Sequence, residues 1–260
     1  TYLKGIKMLR YSVIIPARFA SERLPGKPLL DIAGKPMIQR VYEQVRDLGA
    51  QRVIVATDHE DIKTVCEKVG AEVMLTSPDH PSGTDRLEEV VSELEFDDDE
   101  IVVNVQGDEP LIPSALIEQV AHKLDEHPEA GIATLCERIH DLDTVLNPNA
   151  VKVVFDEHGF ASYFSRAPIP YARNALTELP PRLSSQAEYY RHIGMYAYRV
   201  GFLRQYVQWL PSMTERVEKL EQLRALSNGV RIHIDLACQN PPAGVDTAAD
   251  LERVRKQFKA

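Results

Sequence analysis

Short apolar runs alternate with segments of helix-spaced apolar residues along the first two-thirds of this chain, and that alternation leaves few folds open. Residues 11–16 (YSVIIP) are apolar and rich in β-branched side chains, the pattern of a strand buried on both faces. Met37, Ile38, Val41, Val45 and Leu48 then recur at helical spacing, and Gly49 closes that helix. Residues 52–56 (RVIVA) are a second strand. Asp61 is placed to cap a helix carrying Ile62, Val65 and Val69, ended by Gly70. Residues 72–75 are a third strand, and Leu87, Val90, Val91 and Leu94 mark another helix. Residues 101–105 (IVVNV) are a fourth strand, Ser114 opens a helix through Leu124, and residues 131–135 are a further strand. The pattern predicts a Rossmann-like α/β fold: a mostly parallel sheet with helices on both faces. Ligands of such sheets bind beyond the carboxyl ends of the strands. The loops after Ile15, Ala56 and Val105 are therefore the ones to inspect.

The rhythm breaks near Leu142. Val151, Val153 and Phe155 alternate, DEHG (156–159) is a turn signal, and Phe160, Ser162 and Phe164 continue beyond it, which predicts an inserted antiparallel hairpin lobe. A proline-rich polar stretch at 167–187 reads as an excursion or lid. A strand over 192–198, helices over 201–209 and 214–226, a strand over 232–236 and a terminal helix over 247–258 complete the prediction. Residues 8–260 are thus expected to form one domain, with a ligand-binding core at 8–140, the hairpin lobe at 150–200 and a C-terminal completion of the core at 201–260. Residues 1–7 read as an extension, since Met8 directly precedes the first strand.

Composition narrows the function classes. The 260 residues are 44% hydrophobic, enough to bury a full α/β core. A net charge of −9 suits duplex nucleic acid poorly, so no nucleic-acid partner is expected, although a local basic pocket could still bind a small anion. Cys66, Cys136 and Cys238 lie far apart with no C-x-x-C pair, which argues against a disulfide framework and a zinc site. No apolar run reaches membrane-spanning length and the start lacks a signal-peptide core, so the expectation is a cytoplasmic protein without stable membrane association.

The loop at 16–28 (PARFASERLPGKP) carries Arg18, Arg23 and Lys27 at the ligand edge of the sheet. Arginine forks and a lysine point charge there could wrap a triphosphate. The loop holds one glycine and Lys27 precedes Pro28, so it is neither a P-loop nor a dinucleotide fingerprint. After the fourth strand, Gly107 permits close backbone approach, and Asp108 either holds Mg²⁺ or caps the next turn. Ser82, Gly83 and Arg86 open a helix whose amino end suits phosphate or ribose, though an ordinary N-cap is the commoner meaning of a serine there. Asp246-Thr247 reads as an N-cap. His59 is not assigned a catalytic role.

The strings IPARFASERLPGKPL, VIVATDHEDI, SGTDRL, VNVQGDEPLIP, NPNAVKVV, YFSRAPIP, RHIGMYAYR, EKLEQLR and GVDTAADLERVR, in this order, resemble the 3-deoxy-manno-octulosonate (KDO) cytidylyltransferase family along nearly the whole chain. The first two-thirds is also similar to CMP-sialic acid synthetases and, more loosely, to sugar-nucleotide pyrophosphorylases; YFSRAPIP and EKLEQLR favour KDO. The resemblance implies transfer of CMP from CTP to KDO, with Mg²⁺ as cofactor and a homodimer as the assembly. It implies a triphosphate loop of Arg18, Arg23 and Lys27, with Ala17 and Ser21 meeting the nucleotide through backbone. It implies Asp108 and Asp246 as the metal carboxylates and Gln106 between nucleotide and sugar. It implies Arg166, His192, Tyr196, Glu221 and Gln222 around the sugar. Read from the residues alone, Arg166 could be a surface ion pair, Tyr196 core packing and Glu221 a charge on a helix face. An arginine for a carboxylate, and Glu or Gln for hydroxyls, nevertheless match an acidic polyhydroxyl sugar.

Overall fold

Val13, Ile14 and Ile15 are fully buried, and their strand, β1 (Tyr11–Ala17), runs through the middle of a nine-stranded sheet. The structure, a computed structural model, describes residues 9–21 and 23–259; the expected extension at 1–7 and Met8 lie outside the described residues. A small hairpin, β2 (Asp31–Ile32) and β3 (Lys35–Pro36), follows the first loop and leads into α1 (Met37–Val45). Then come β4 (Val53–Thr57), α2 (Glu60–Glu67), β5 (Glu72–Leu75), α3 (Gly83–Glu93), β6 (Ile101–Asn104), α4 (Ser114–Glu126) and β7 (Ile132–Ile139). Helix α5 (Leu142–Leu146) precedes the hairpin β8 (Lys152–Phe155) and β9 (Ala161–Ser165). The chain ends with α6 (Arg173–Leu176), β10 (Tyr189–Arg199), α7 (Val200–Tyr206), α8 (Met213–Glu218), α9 (Gln222–Ser227), β11 (Ile232–Leu236) and α10 (Ala248–Gln257).

The sheet order is β11-β7-β10-β6-β1-β4-β5. Pairings β1–β4, β1–β6, β4–β5 and β7–β11 are parallel, as the alternating pattern predicts. Strand β10 is the exception: it lies antiparallel between β6 and β7. Side chains alternate across the sheet, so Val13 and Ile15 join α1 and α4 residues such as Val41 and Leu116 on one face. Ile14 joins Leu87, Val90 and Leu203 of α3 and α7 on the other.

Several expectations need correction. The inserted antiparallel hairpin is present as expected (β8–β9), and what the sequence left open is its attachment: β8 pairs with β10 at Val153–Tyr190 and Lys152–Arg191 and so extends the main sheet. Strand β10 starts three residues before the predicted 192 and carries a bulge between Ile193 and Tyr196. The helix expected over 214–226 is two helices, broken where Lys219 adopts left-handed backbone (φ 55, ψ 50). Helix α2 is capped by His59, whose Nδ1 accepts from Asp61 N at 3.2 Å, rather than by Asp61. The stretch at 167–187 contains α6, and Ala172, Leu183 and Ala187 pack on buried Ile139, Val145 and Tyr189.

Lys152, between Val151 and Val153 of the alternating run, is fully buried. Its ammonium donates to the carbonyls of Asn147 (2.8 Å), Ala150 (2.6 Å) and Arg166 (2.6 Å). Three such bonds offset the lost hydration, and burial still pushes its pKa below the ordinary lysine range.

Candidate active site

The loop leaving β1 is braced from β4. Phe19 N donates to Asp58 Oδ1 (2.9 Å), the Phe19 ring stacks on His59 at 3.9 Å, and Asp58 Oδ2 receives Arg86 Nη2 at 3.1 Å. Arg86 is buried, with its other fork donating to Thr76 Oγ1. Its charge is therefore committed to holding Asp58, although its side chain still borders the cavity beneath.

That cavity, about 770 Å³, lies at the carboxyl ends of β1 and β6. Ala17, Arg18, Ser21, Arg23 and Lys27 line one side; Ser82, Gly83, Arg86 and Gln106 line another; Asp108, Asp246 and Glu221 complete it. The structure thus brings every residue expected around the nucleotide and metal to one place. Ser82 also caps α3, its Oγ accepting from Asp85 N at 3.2 Å, so the ordinary meaning of that serine holds as well.

The carboxylates converge through backbone contacts. A Cβ on Gly107 would sit 2.8 Å from Pro16 O, so only glycine lets the chain after β6 lie against the end of β1. Val245 N donates to Asp108 O at 2.9 Å, which fastens the 244–246 segment beside Asp108. Thr247 caps α10 through Asp250 N, leaving the Asp246 carboxylate to face the loop. Lys27 Nζ stands between the two acids, 2.6 Å from Asp108 Oδ2 and 3.2 Å from Asp246 Oδ1, and Arg23 Nη2 reaches Asp246 at 3.2 Å. Gly107→Ala is predicted to destabilise the fold by roughly 1–3 kcal/mol through overpacking and to lower turnover by shifting Asp108. A thermal midpoint and a turnover both equal to the native protein's would contradict the close approach.

A second cavity of about 300 Å³ adjoins the first, and Gly83, Gln106 and Glu221 line both. Tyr196 and Gln222, expected at the sugar, line it too. Thr84 Oγ1 donates to Glu221 Oε2 at 3.1 Å, yet burial outweighs that bond and raises the Glu221 pKa. Arg166 and His192 are not among the lining residues of either cavity. Arg166 Nε donates to Glu218 O (2.6 Å) and Nη1 to Pro148 O (2.9 Å), while its backbone N–H donates to Glu218 Oε2 (2.9 Å).

The cytidylyltransferase family profile matches residues 12–232. The chain is 60% identical over 248 residues to the 3-deoxy-manno-octulosonate cytidylyltransferase of Hahella chejuensis, covering 95% of this chain and 97% of that protein. It is 57% identical over 250 residues to the enzyme of the same name from Pseudomonas syringae pv. tomato, covering 96% and 98%. The chain belongs to the 3-deoxy-manno-octulosonate cytidylyltransferase family. A solved structure of CMP:2-keto-3-deoxy-manno-octonic acid synthetase complexed with CTP superposes on this member with a TM-score of 0.86 at 43% identity, covering 96% of this chain and 98% of that one.

Sequence reasoning missed five residues in or beside this cytidylyltransferase's cavities. Asn104, Tyr198 and Tyr206 line the second cavity, but in sequence they read as strand and helix core. Lys219 lines it only because of the helix break. Glu109, beside Asp108, has its pKa pushed up to about 8, chiefly by burial and then by the Asp108 charge. The one available signal for it was its place in the GDEP string.

His192 carries a pH prediction. Thr134 Oγ1 donates to Met195 O (2.6 Å), leaving its oxygen to accept from His192 Nε2 at 3.0 Å. Burial lowers the His192 pKa from 6.5 to about 3 and, with help from His127, that of His233 to about 4. The unfolded chain takes up both protons from about pH 6.5 downward, whereas the fold resists until far lower. Both groups therefore leave stability untouched well above pH 6.5 and subtract from it as pH falls toward 4. A thermal-midpoint profile over that window should be flatter for His192→Gln; an unchanged slope would contradict a buried neutral imidazole.

Proposed function

We propose that this protein transfers CMP from CTP to the anomeric hydroxyl of KDO, giving CMP-KDO and pyrophosphate for lipopolysaccharide synthesis. The observation that carries the reading is the junction of the two cavities. One is edged with Arg18, Arg23 and Lys27 for a triphosphate, the other mainly with polar and aromatic groups, Lys219 among them, for an acidic sugar, and Gln106 and Glu221 border both. The 60% and 57% identical relatives are named for this reaction.

The cations of the first loop bind and orient the triphosphate, and Gln106 sits where nucleotide and acceptor meet. The anomeric oxygen forms its bond to the α-phosphorus as the bond to the β-phosphate bridge breaks in line; pyrophosphate leaves with the bridging oxygen, and the hydroxyl proton passes to solvent water. Catalysis rests mainly on positioning and on charges fixed before the reaction begins. Asp108 and Asp246 are the residues that would hold Mg²⁺. They already share one cation, the Lys27 ammonium, and Mg²⁺ needs only one or two protein carboxylates beside phosphate oxygens and water. When bound, Mg²⁺ neutralises phosphate charge and lowers the pKa of the attacking hydroxyl.

A pyrophosphate-release assay with CTP, Mg²⁺ and a panel of acidic sugars tests the reading. Release with KDO and little with a sialic acid is the expected result; preference for a sialic acid, dependence on a sugar phosphate, or CTP binding without turnover would replace it. The proposal extends to a cytoplasmic homodimer. Tyr171 and Leu179, 61% and 96% exposed, are apolar surface that a second copy could cover, and no helix among the described residues is long and apolar enough to cross a membrane. Sedimentation at monomer mass would overturn the dimer.

A further inference from the structure

Asp58 and His59 follow β4 directly, and neither is among the lining residues of either cavity. Both nevertheless grip Phe19, which does line the first cavity. The β1–β4 register ends at Ala17–Thr57, so Phe19 and His59 stand two residues beyond the same rung, one on each strand. Their rings lie face to face, 14° from parallel. The Phe19 ring also reaches the next turn of the loop: a Cβ on Gly26 would sit 3.6 Å from its Cε2. Arg18 precedes Phe19 and Lys27 follows Gly26. The ring therefore ties the end of β4 to both cation-bearing turns of the loop.

The Asp58 carboxylate joins two walls of the cavity. One oxygen accepts the Phe19 N–H from the loop, and the other accepts the Arg86 guanidinium from α3. The side chains of Asp58 and Arg86 are 9% and 4% exposed, so little water competes for these contacts. Each oxygen serves a different donor, and an asparagine could serve only one. Whichever way its amide turned, an N–H group would meet another donor. Like charges held close together repel, and a loop free to relax would spread Arg18, Arg23 and Lys27 apart. A loop fixed in advance receives the triphosphate without that ordering cost.

We propose that Asp58 and His59 are positioning residues for the triphosphate: Asp58 locks the loop to α3 through the Phe19 amide, and His59 locks it to β4 through the Phe19 ring. This rests on the reading of the first cavity as the nucleotide site. Calorimetry of CTP and CMP binding, with Mg²⁺ and no acceptor sugar, tests it, because CMP carries the same nucleoside without the two outer phosphates. The native protein should bind CTP more tightly than CMP. Asp58→Asn should weaken CTP by roughly tenfold and CMP by no more than about twofold. His59→Asn should weaken CTP by roughly three- to tenfold, since asparagine is itself a favoured cap for α2 but has no ring to stack. His59→Phe should keep native CTP affinity, because it restores the stack and loses only the cap. Native CTP affinity in His59→Asn, or equal weakening in His59→Phe, overturns the role of the stack. Native CTP affinity in Asp58→Asn, or failure of that variant to fold, overturns the role of the carboxylate. A loss that falls equally on CTP and CMP marks a general loosening and overturns both. If the native protein itself shows no preference for CTP over CMP, the nucleotide-site reading falls and takes the clamp with it.

Discussion

Asp108→Ala should yield a folded protein whose turnover is reduced roughly a thousand-fold, about 4 kcal/mol of lost transition-state stabilisation. The size follows from what the carboxylate is asked to do. It is one of two acids that share a cation at the phosphate end of the cavity, and the charge that develops on the departing pyrophosphate has to be neutralised there. The fold should survive because the backbone, not the side chain, anchors this segment. Gly107 lies against Pro16 O, and Asp108 O accepts from Val245 N. The Lys27–Asp108 pair lies at the cavity's edge, with the Asp108 side chain 32% exposed, so its loss should move the thermal midpoint little. The decisive measurement is kcat beside an unfolding curve. Near-native turnover in the folded variant would refute the metal-carboxylate assignment, while loss of turnover together with collapse of the fold would show that Asp108 is structural.

Lys27→Ala should raise the KM for CTP by roughly 10- to 100-fold, the equivalent of one lost charge-assisted contact of about 1.5–3 kcal/mol. Lys27 is held at the opening of a short 3₁₀ turn, Lys27–Leu29, entered through Gly26 in left-handed backbone. Its ammonium is the point at which the loop meets both Asp108 and Asp246. Without it those two carboxylates face each other with Arg23 as the remaining neighbour that pairs with one of them, so nucleotide binding should become more dependent on Mg²⁺. Lys27→Arg should fall between the two. Unchanged nucleotide kinetics in Lys27→Ala would count against the loop as the triphosphate site.

The parts legible in the sequence share a physical cause. Strand β1 was readable because buried parallel strands need continuous β-branched apolar residues, and Val13, Ile14 and Ile15 supply them. The parallel order around it followed from the intervening helical segments. The loop cations, Gly107 and Asp108 were readable as a group because ligands collect at the carboxyl ends of such strands. The helix break at Lys219 was hidden, because Glu215 to Arg224 forms an unbroken helix-favouring run with no glycine or proline. At the break, Arg166 donates to the carbonyl of Glu218 and makes a long contact to that of Lys219, tertiary partners that no local pattern reports. The burial of Lys152 is tertiary as well, since β10 and the 147–150 turn close over a position that alternation alone would turn outward.

Periodicity and turn chemistry report on neighbours a few positions apart, and through them this sequence determined its strands, most of its helices, their layering and the loop that carries the cations. Which distant residues share a site was decided by the order of the strands. Asp246 looked like a helix cap, and its carboxylate meets Lys27 across 219 positions only because Thr247 takes over the capping and the backbone after Gly244 is tied to Asp108. The same holds for Asn104, Tyr198 and Lys219, whose facing of one cavity depends on β10 running antiparallel beside β6 and on a turn that local propensity opposes.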